Sequence, residues 1–218
     1  TTSLYQPLEN MLYTRAMRNG KASDVYPQPP KSWANDEHQG PGNVLVADDY
    51  VIIATANRLD VYTDMEAARH KSEAEIAAHP DDPAIRLNYA EQMFNSGDVP
   101  TALAKLDEAI QVLGGRDNMK PGNVRDSIYH DCVKWAQKLG QDIKDPSSDN
   151  VAIVQGLYDR AGAAASNPAQ QVDYRILRAK LATTLKDYPG AVKLYQEIIS
   201  DPDRRAVPVV DDTSNVSN

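Results

Sequence analysis

The sequence is poor in cysteine, in phenylalanine and in positive charge, and each shortage excludes a class of protein. Cys132 is the only cysteine among 218 residues, so no disulfide can form within the chain. There are 23 Lys and Arg residues against 31 Asp and Glu, and the net charge of −8 argues against partners made of nucleic acid or anionic lipid. The single phenylalanine stands beside 11 tyrosines, so the aromatic content is amphipathic.

Long apolar runs and catalytic motifs are also missing. No stretch approaches the roughly 18 apolar residues of a transmembrane helix, and no signal-peptide pattern opens the chain. There is no dinucleotide- or phosphate-binding loop, no zinc-protease helix and no nucleophile elbow. We therefore predict no enzyme activity and no catalytic, cofactor-binding or metal-ligating residues. The first residue is Thr1 rather than Met, which predicts a processed chain or a piece of a longer one.

Cys132 and His130 are the one pair that invites a catalytic interpretation. Cys132 shares an apolar stripe at helical spacing with Ile128 and Trp135, where a thiol behaves as a small hydrophobic group. His130 is two residues away and so points to another side of the predicted helix. We predict that Cys132 is buried and unreactive.

The segment from Asp82 to Gly114 predicts two antiparallel helices joined by a tight turn. Pro83 suits the first turn of the first helix, and Gly97 suits the left-handed position just past its end. Apolar residues recur at helical spacing in both helices. Small residues mark the places where the two helices must approach closely, and these are Ala90, Ala102 and Ala109.

The pattern recurs between Asp173 and Pro202. Ala179 and Ala191 have the same spacing as Ala90 and Ala102, and Tyr195 supplies an aromatic residue in the second helix. Residues 124–164 predict a middle pair of helices between the two copies. Matched small residues at a repeated spacing are typical of helical-repeat arrays.

These features resemble the tetratricopeptide repeat (TPR). The small residues and the turn at Gly97 match the pattern of that family, whereas Met93 and Leu106 replace its usual aromatics and Gly114 replaces its closing proline. The resemblance implies an α-solenoid of antiparallel helical hairpins whose surface binds other proteins.

Residues 43–64 have a different pattern, with three short β-type runs separated by tight turns. We predict a three-stranded meander. Its runs, Gly42–Val46, Asp49–Ala54 and Leu59–Tyr62, resemble the closing part of a blade in the β-propellers of quinoproteins and outer-membrane-assembly lipoproteins. A propeller needs about four to eight blades. We therefore expect this sheet to pair with another chain or with the rest of a propeller protein.

The predicted fold class is mainly α: TPR-like hairpins with a short N-terminal β-meander. The predicted segments are an extended proline-rich arm over 1–42, a partial propeller blade over 43–64, helical repeats over 65–206 and a flexible tail over 207–218. Within the arm, the spacing of Leu4, Leu8 and Leu12 fits a short helix or an extended strip. The candidate contacts with a partner are Trp33, Val51, Ile53 and Tyr62.

The sequence as a whole predicts a non-enzymatic scaffold, part of or docked to a larger propeller-containing assembly. A blade followed by degenerate repeats resembles large envelope proteins of planctomycete-type bacteria, which implies the cell envelope or periplasm. Two alternatives stay open: a fragment or subunit of a pyrroloquinoline quinone (PQQ) enzyme, and a periplasmic factor that binds extended peptides. A partial blade cannot itself form a quinone site. We expect a protein partner, without nucleic acid, cofactor or membrane insertion.

Overall fold

The computed structural model describes residues 3–8, 11–26, 43–47, 50–54, 59–63 and 65–208. The chain divides into two compact units, residues 1–73 and 74–218. Over the described residues it is mainly helical with a few short antiparallel strands, as predicted.

The first unit begins with a sheet that the sequence analysis did not predict. Strands β1 (Ser3–Leu8), β2 (Met11–Ala16) and β3 (Ala22–Tyr26) pair antiparallel in the order β1-β2-β3. Gly20, with φ of 66°, provides the left-handed residue of the β2–β3 turn. The alternative of a short helix at Leu4, Leu8 and Leu12 is therefore wrong, because these residues lie in extended strands that pair with each other. Trp33 and residues 27–42 lie outside the described residues.

The second sheet is the predicted meander. Strands β4 (Asn43–Ala47), β5 (Tyr50–Ala54) and β6 (Leu59–Thr63) are antiparallel in the order β4-β5-β6, which confirms the prediction of three strands over 43–64. Val51 lies opposite both Val46 and Tyr62. Val46 and Val51 therefore share one face of the sheet.

Val51 and Ile53 belong to the core of this unit. They form a buried cluster with Leu12 of the first sheet, and Tyr5, Val44 and Val46 pack around them. Ile53 is 1% exposed and Val51 8%. The prediction that these two residues contact a partner is wrong, because the sheet formed by β1–β3 already covers their face. The side chain of Tyr62 lies outside the described residues.

The remaining elements are helices. They are α1 (Met65–Ala78), α2 (Pro83–Ser96), α3 (Val99–Val112), α4 (Asn123–Gly140), α5 (Asn150–Ala164), α6 (Pro168–Thr184), α7 (Tyr188–Ile199) and α8 (Pro202–Arg205). Helix α1 runs across the boundary between the two units. In the second unit the helices pack as successive pairs, α2 with α3, α4 with α5 and α6 with α7. The first helices of the pairs also contact one another, α2 with α4 and α4 with α6.

Local sequence explains where these helices begin and end. Asp82 accepts a hydrogen bond from the backbone N–H of Ala84 at 2.8 Å, and Pro83 follows as the first helical residue of α2. The same arrangement of cap and proline starts α6 at Asn167. Gly97 ends α2 with φ of 93°, and Lys186 takes the corresponding position after α6 with φ of 63°. The two predicted copies thus share their turn geometry as well as their spacing.

Candidate interaction surfaces

The small side chains predicted at the helix crossings are buried. Ala90, Ala102 and Ala109 of the α2–α3 pair are all 0% exposed. In the α6–α7 pair, Ala179 is 0% exposed and Ala191 is 5% exposed. Leu106, at 0%, fills the space beside the first crossing.

Tyr195 differs from its predicted role in repeat packing. Its side chain is 41% exposed, whereas Ala191 one turn earlier is buried. Among the described residues, no helix encloses the side of α7 on which Tyr195 lies. Tyr195 therefore belongs to a surface rather than to the core of the hairpin.

The middle pair joins the first pair through stacked rings. Trp135 of α4 is fully buried and lies parallel to Phe94 of α2, with ring centroids 4.4 Å apart. Cys132 on the same stripe is also fully buried, and this burial raises the pKa of its thiol far above the ordinary value. The prediction that Cys132 is buried is confirmed, and its lack of reactivity stays a prediction. His130 is exposed and meets the edge of the Tyr129 ring.

Polar contacts hold successive pairs together. Arg160 of α5 donates from Nε to Asp107 Oδ1 of α3 at 2.8 Å, and Arg116 reaches the same oxygen at 3.2 Å. Burial by itself raises the pKa of Asp107. The hydrogen bonds and charge of Arg160, followed by those of Arg116, outweigh that effect and leave the pKa below its ordinary value. The carboxylate is a fixed acceptor between the first two pairs.

A second link joins α4 to α6. The Tyr129 hydroxyl donates to Asp173 Oδ2 at 2.8 Å and lies 3.1 Å from the carbonyl oxygen of Gln170. Burial, with the Asp173 carboxylate next in importance, raises the pKa of Tyr129. The phenol is therefore a permanent donor, which suits a structural contact.

Arg125 at the start of α4 caps the C-terminal end of α5. Its guanidinium donates to the carbonyl oxygens of Ala164 at 2.8 Å, Ala165 at 3.1 Å and Ala163 at 3.4 Å. It also reaches the carbonyl oxygen of Met119 at 3.1 Å. One planar cation thus satisfies carbonyls that lack partners inside the helix.

Among the carboxylates of the described residues, Asp131 is the one with a clearly raised pKa. Burial, and then the nearby charge of Glu91, raise the pKa of Asp131 to about 6. Lys134 pairs with Glu91 at 3.3 Å. Within the described ranges, no group of three or more His, Cys, Asp or Glu side chains is placed to hold a metal ion.

Among the described residues, two apolar faces remain open, and neither was predicted from the sequence. On the second sheet, Leu45, Leu59 and Val61 are 59%, 63% and 55% exposed, on the side opposite Ile53. We call this set the outer β-face. The β5 run is apolar at every position, so its sequence alone does not tell which face is covered.

The other open face lies on α7. Tyr188, Val192, Tyr195 and Ile199 follow one line along the helix and are 59%, 53%, 41% and 61% exposed. We call these four residues the α7 stripe. Ala191, Leu194 and Ile198 form a second apolar line that is less exposed. The apolar surface of α7 is wider than one partner helix can cover. This width is the sequence signal that would have identified the stripe.

Neither a membrane-spanning helix among the described residues nor a matching protein is found. None of the helices in the described part of the chain has the length and apolar character needed to cross a bilayer. Comparison with protein-family models, curated proteins and solved structures finds nothing that matches this chain.

Proposed function

We propose that this protein is a non-enzymatic scaffold that uses a TPR-like helical array and docks onto a larger assembly through its β-unit. The observation that carries the proposal is the outer β-face. Leu45, Leu59 and Val61 come together from two strands, and each leaves more than half of its side-chain surface in water. Apolar patches of this kind on folded proteins mark interaction sites.

The edges of the same sheet support this proposal. Strand β5 is central, and among the described strands none pairs with the outer edges of β4 and β6. Open edges carry backbone N–H and C=O groups that are ready to bond an added strand. An apolar face beside an open edge fits a protein partner, such as the remainder of a β-propeller protein or another chain.

The arrangement of the first unit favours a propeller-containing assembly. Two successive three-stranded antiparallel meanders share one core through Leu12 and Ile53. Propellers repeat such antiparallel sheets, packed face to face, around an axis. On this proposal the two meanders are neighbouring partial blades, and the assembly lies in the cell envelope.

The helical unit provides the scaffold part of the proposal. Helix α4 contacts both α2 and α6, and these contacts support a row of the first helices of the three pairs. Such a row is how an α-solenoid builds its binding surface. The links through Asp107 and Tyr129 keep the pairs in fixed positions, as a scaffold requires.

Site-directed photo-crosslinking in cells that produce the chain tests this proposal. A photoreactive amino acid at Leu59 or Val61 is expected to capture a discrete protein partner. The same group at Ser127, an exposed residue of α4, serves as the control and is expected to capture none. Equal labelling from all positions would refute the proposed docking surface. Dye reduction after addition of PQQ and calcium would instead support the redox alternative.

A further inference from the structure

The turn between β2 and β3 holds the one asparagine of this sequence that is followed directly by a glycine. Asn19 and Gly20 are both exposed there. A Cβ built on Gly20 would have no atom within 4 Å, so the space beside this residue is open. A glycine also has no side chain of its own to shield its backbone nitrogen. The nitrogen of Gly20 is therefore sterically open to the asparagine side chain that precedes it.

The side chain of Asn19 is held close to this backbone. Asn19 Oδ1 accepts a hydrogen bond from the backbone N–H of Lys21 at 3.1 Å, which is the pattern of an Asx turn. The bond turns the side-chain amide back over the residue between them, Gly20. It also points a donor at the oxygen on which negative charge develops during an attack on Cγ, as the donors of an oxyanion hole do. The turn thus orients Asn19 Cγ and makes it more electrophilic.

The charges near this turn are all positive, although the net charge of the chain is −8. Residues 10–23 include Arg15, Arg18 and Lys21 and contain no Asp or Glu. Arg15 Nη1 donates to the carbonyl oxygen of Gly20 at 3.0 Å, which brings its guanidinium to the glycine itself. Positive charge close to an N–H group favours the loss of its proton. The surroundings of Gly20 therefore favour the deprotonated, nucleophilic form of its nitrogen.

We infer that Asn19 is a modification site, at which the folded chain converts this asparagine to aspartate and isoaspartate without an enzyme. The Gly20 nitrogen gives its proton to hydroxide and attacks Asn19 Cγ, so that a new C–N bond forms. The bond from Cγ to Nδ2 then breaks, and Nδ2 leaves as ammonia with a proton taken from water. Water adds to either carbonyl of the resulting five-membered succinimide and opens the ring. No oxidant, reductant or cofactor is consumed.

One hydrogen bond must open before the attack can occur. The backbone N–H of Gly20 donates to the carbonyl oxygen of Ala16 at 2.8 Å, and this bond keeps the proton on the nitrogen. Exposed turns open locally at a small cost in free energy, long before the elements that they join unfold. The bond to Ala16 therefore limits the rate of the reaction, but the reaction does not require unfolding of the sheet.

The products change the turn in two ways. The isoaspartate form runs the main chain through the former side chain, which adds one carbon between positions 19 and 20. Both forms place a new carboxylate beside the exposed cations Arg18 and Lys21. The hairpin is closed by the bond from Ala16 N to Lys21 O at 2.9 Å, and a longer turn no longer matches this distance. We therefore expect weaker pairing of β2 with β3 in the isoaspartate form.

Peptide mapping of the full chain by mass spectrometry, after incubation at pH 7 and at pH 8, tests this inference. We expect the peptide with Asn19 to show the mass change of an NH2 group replaced by OH, and to separate into two forms of equal mass. The rate is expected to rise in proportion to the hydroxide concentration, because the attacking nitrogen must lose a proton. Asn118, exposed in the loop between α3 and α4 and followed by Met119, is the internal control and is expected to stay unchanged.

Asn19→Gln is the matched variant, since it keeps the amide but requires a larger ring, and it is expected to lose the conversion. A sample digested before incubation identifies any conversion that occurs during the digestion. If Asn19 stays intact in the folded chain at pH 8 but is converted in guanidinium chloride, the bond to Ala16 protects the site and the inference is overturned. Conversion of Asn118 at the same rate would also overturn it, because the reaction would then not depend on this turn.

Discussion

Three buried alanines mark the predicted crossing of α2 and α3. Ala90, Ala102 and Ala109 are each 0% exposed. Their size sets the distance between the two helices, since protein interiors are as closely packed as organic crystals. The Ala90–Ala102 pair recurs as Ala179 and Ala191 in the last helical pair.

Ala102→Leu is expected to overpack this crossing. The added carbons force neighbouring side chains away from their preferred rotamers, so we expect the free energy of unfolding to fall by about 1–3 kcal/mol. Urea denaturation followed by circular dichroism measures it. Ala104→Leu on the exposed side of the same helix is the control and is expected to change little. Equal stability of both variants and the parent would contradict the assignment of the crossing.

Asp131→Asn is expected to stabilise the protein in a pH-dependent way. The pKa of Asp131 is about 6 in the folded protein, above its value in the unfolded chain. The folded protein binds this proton more tightly than the unfolded chain does, so the protonated carboxyl contributes stability that is fully present below the pKa of the unfolded chain. This contribution is lost as the pH rises through about 6. Removing the charge should therefore add about 1–2 kcal/mol at pH 7, less than the full shift implies because solvent screens this half-exposed carboxylate, and almost nothing at pH 4.

Urea unfolding of parent and variant at the two pH values measures this difference. Asp142→Asn, at an exposed position, is the control and is expected to change stability little. A variant that is equally stabilising at pH 4 and pH 7 would show that the gain does not come from the charge.

At the scale of the element, the end of α5 depends on a side chain from another helix. Arg125 of α4 donates hydrogen bonds to the last carbonyl oxygens of α5, those of Ala163, Ala164 and Ala165. This contact joins residues about forty positions apart in the chain. Such a contact ties the end of one helix to the beginning of its partner.

Arg125→Met is expected to lower the free energy of unfolding by about 2–3 kcal/mol, because it removes charge-assisted hydrogen bonds and leaves half-buried carbonyls without a donor. Arg125→Lys keeps the charge but loses the planar fork, so it should recover only part of the loss. Arg178→Met is the control, since the exposed pair of Arg178 with Asp159 at 2.8 Å is expected to be worth less than about 1 kcal/mol. If the effects of Arg125→Met and Arg178→Met are equal, Arg125 is an ordinary surface cation.

At the scale of the whole molecule, the two faces of the meander have opposite roles. Ile53 lies in the core with Leu12, whereas Leu59 is 63% exposed on the outer β-face. Ile53→Lys buries a charge and is expected to destabilise the first unit by more than about 3 kcal/mol while the helices of the second unit persist. Leu59→Lys is expected to change stability by less than about 0.5 kcal/mol and to weaken partner binding.

Hydrogen exchange measured by mass spectrometry separates these outcomes, because it reports on peptides from each unit. We expect faster exchange in peptides of β4 and β5 for Ile53→Lys alone, with protection of α2–α7 unchanged in both variants. If the two lysine variants behave alike, the assignment of inner and outer faces is wrong.

The sequence by itself determined the local elements of the helical unit. Caps such as Asp82, the left-handed turn at Gly97 and the small residues at the crossings act over a few residues, so their effects follow from the local sequence. The β4–β6 meander was predictable for the same reason, because short turns join neighbouring strands. The burial of Cys132 followed from its place on an apolar stripe.

Only the tertiary structure decided which apolar faces are covered. The β5 run is apolar on both faces. The residues that cover Ile53 come from the first sheet, in a segment where the sequence predicts an extended arm. Both sides of α7 are apolar as well, and its neighbours bury Ala191 but leave Tyr195 open. Links such as that between Arg125 and α5 join residues that are distant in the sequence, so no local sequence pattern predicts them. Local interactions select helices, strands and turns, whereas burial depends on contacts between distant segments, and these form only when the chain is folded.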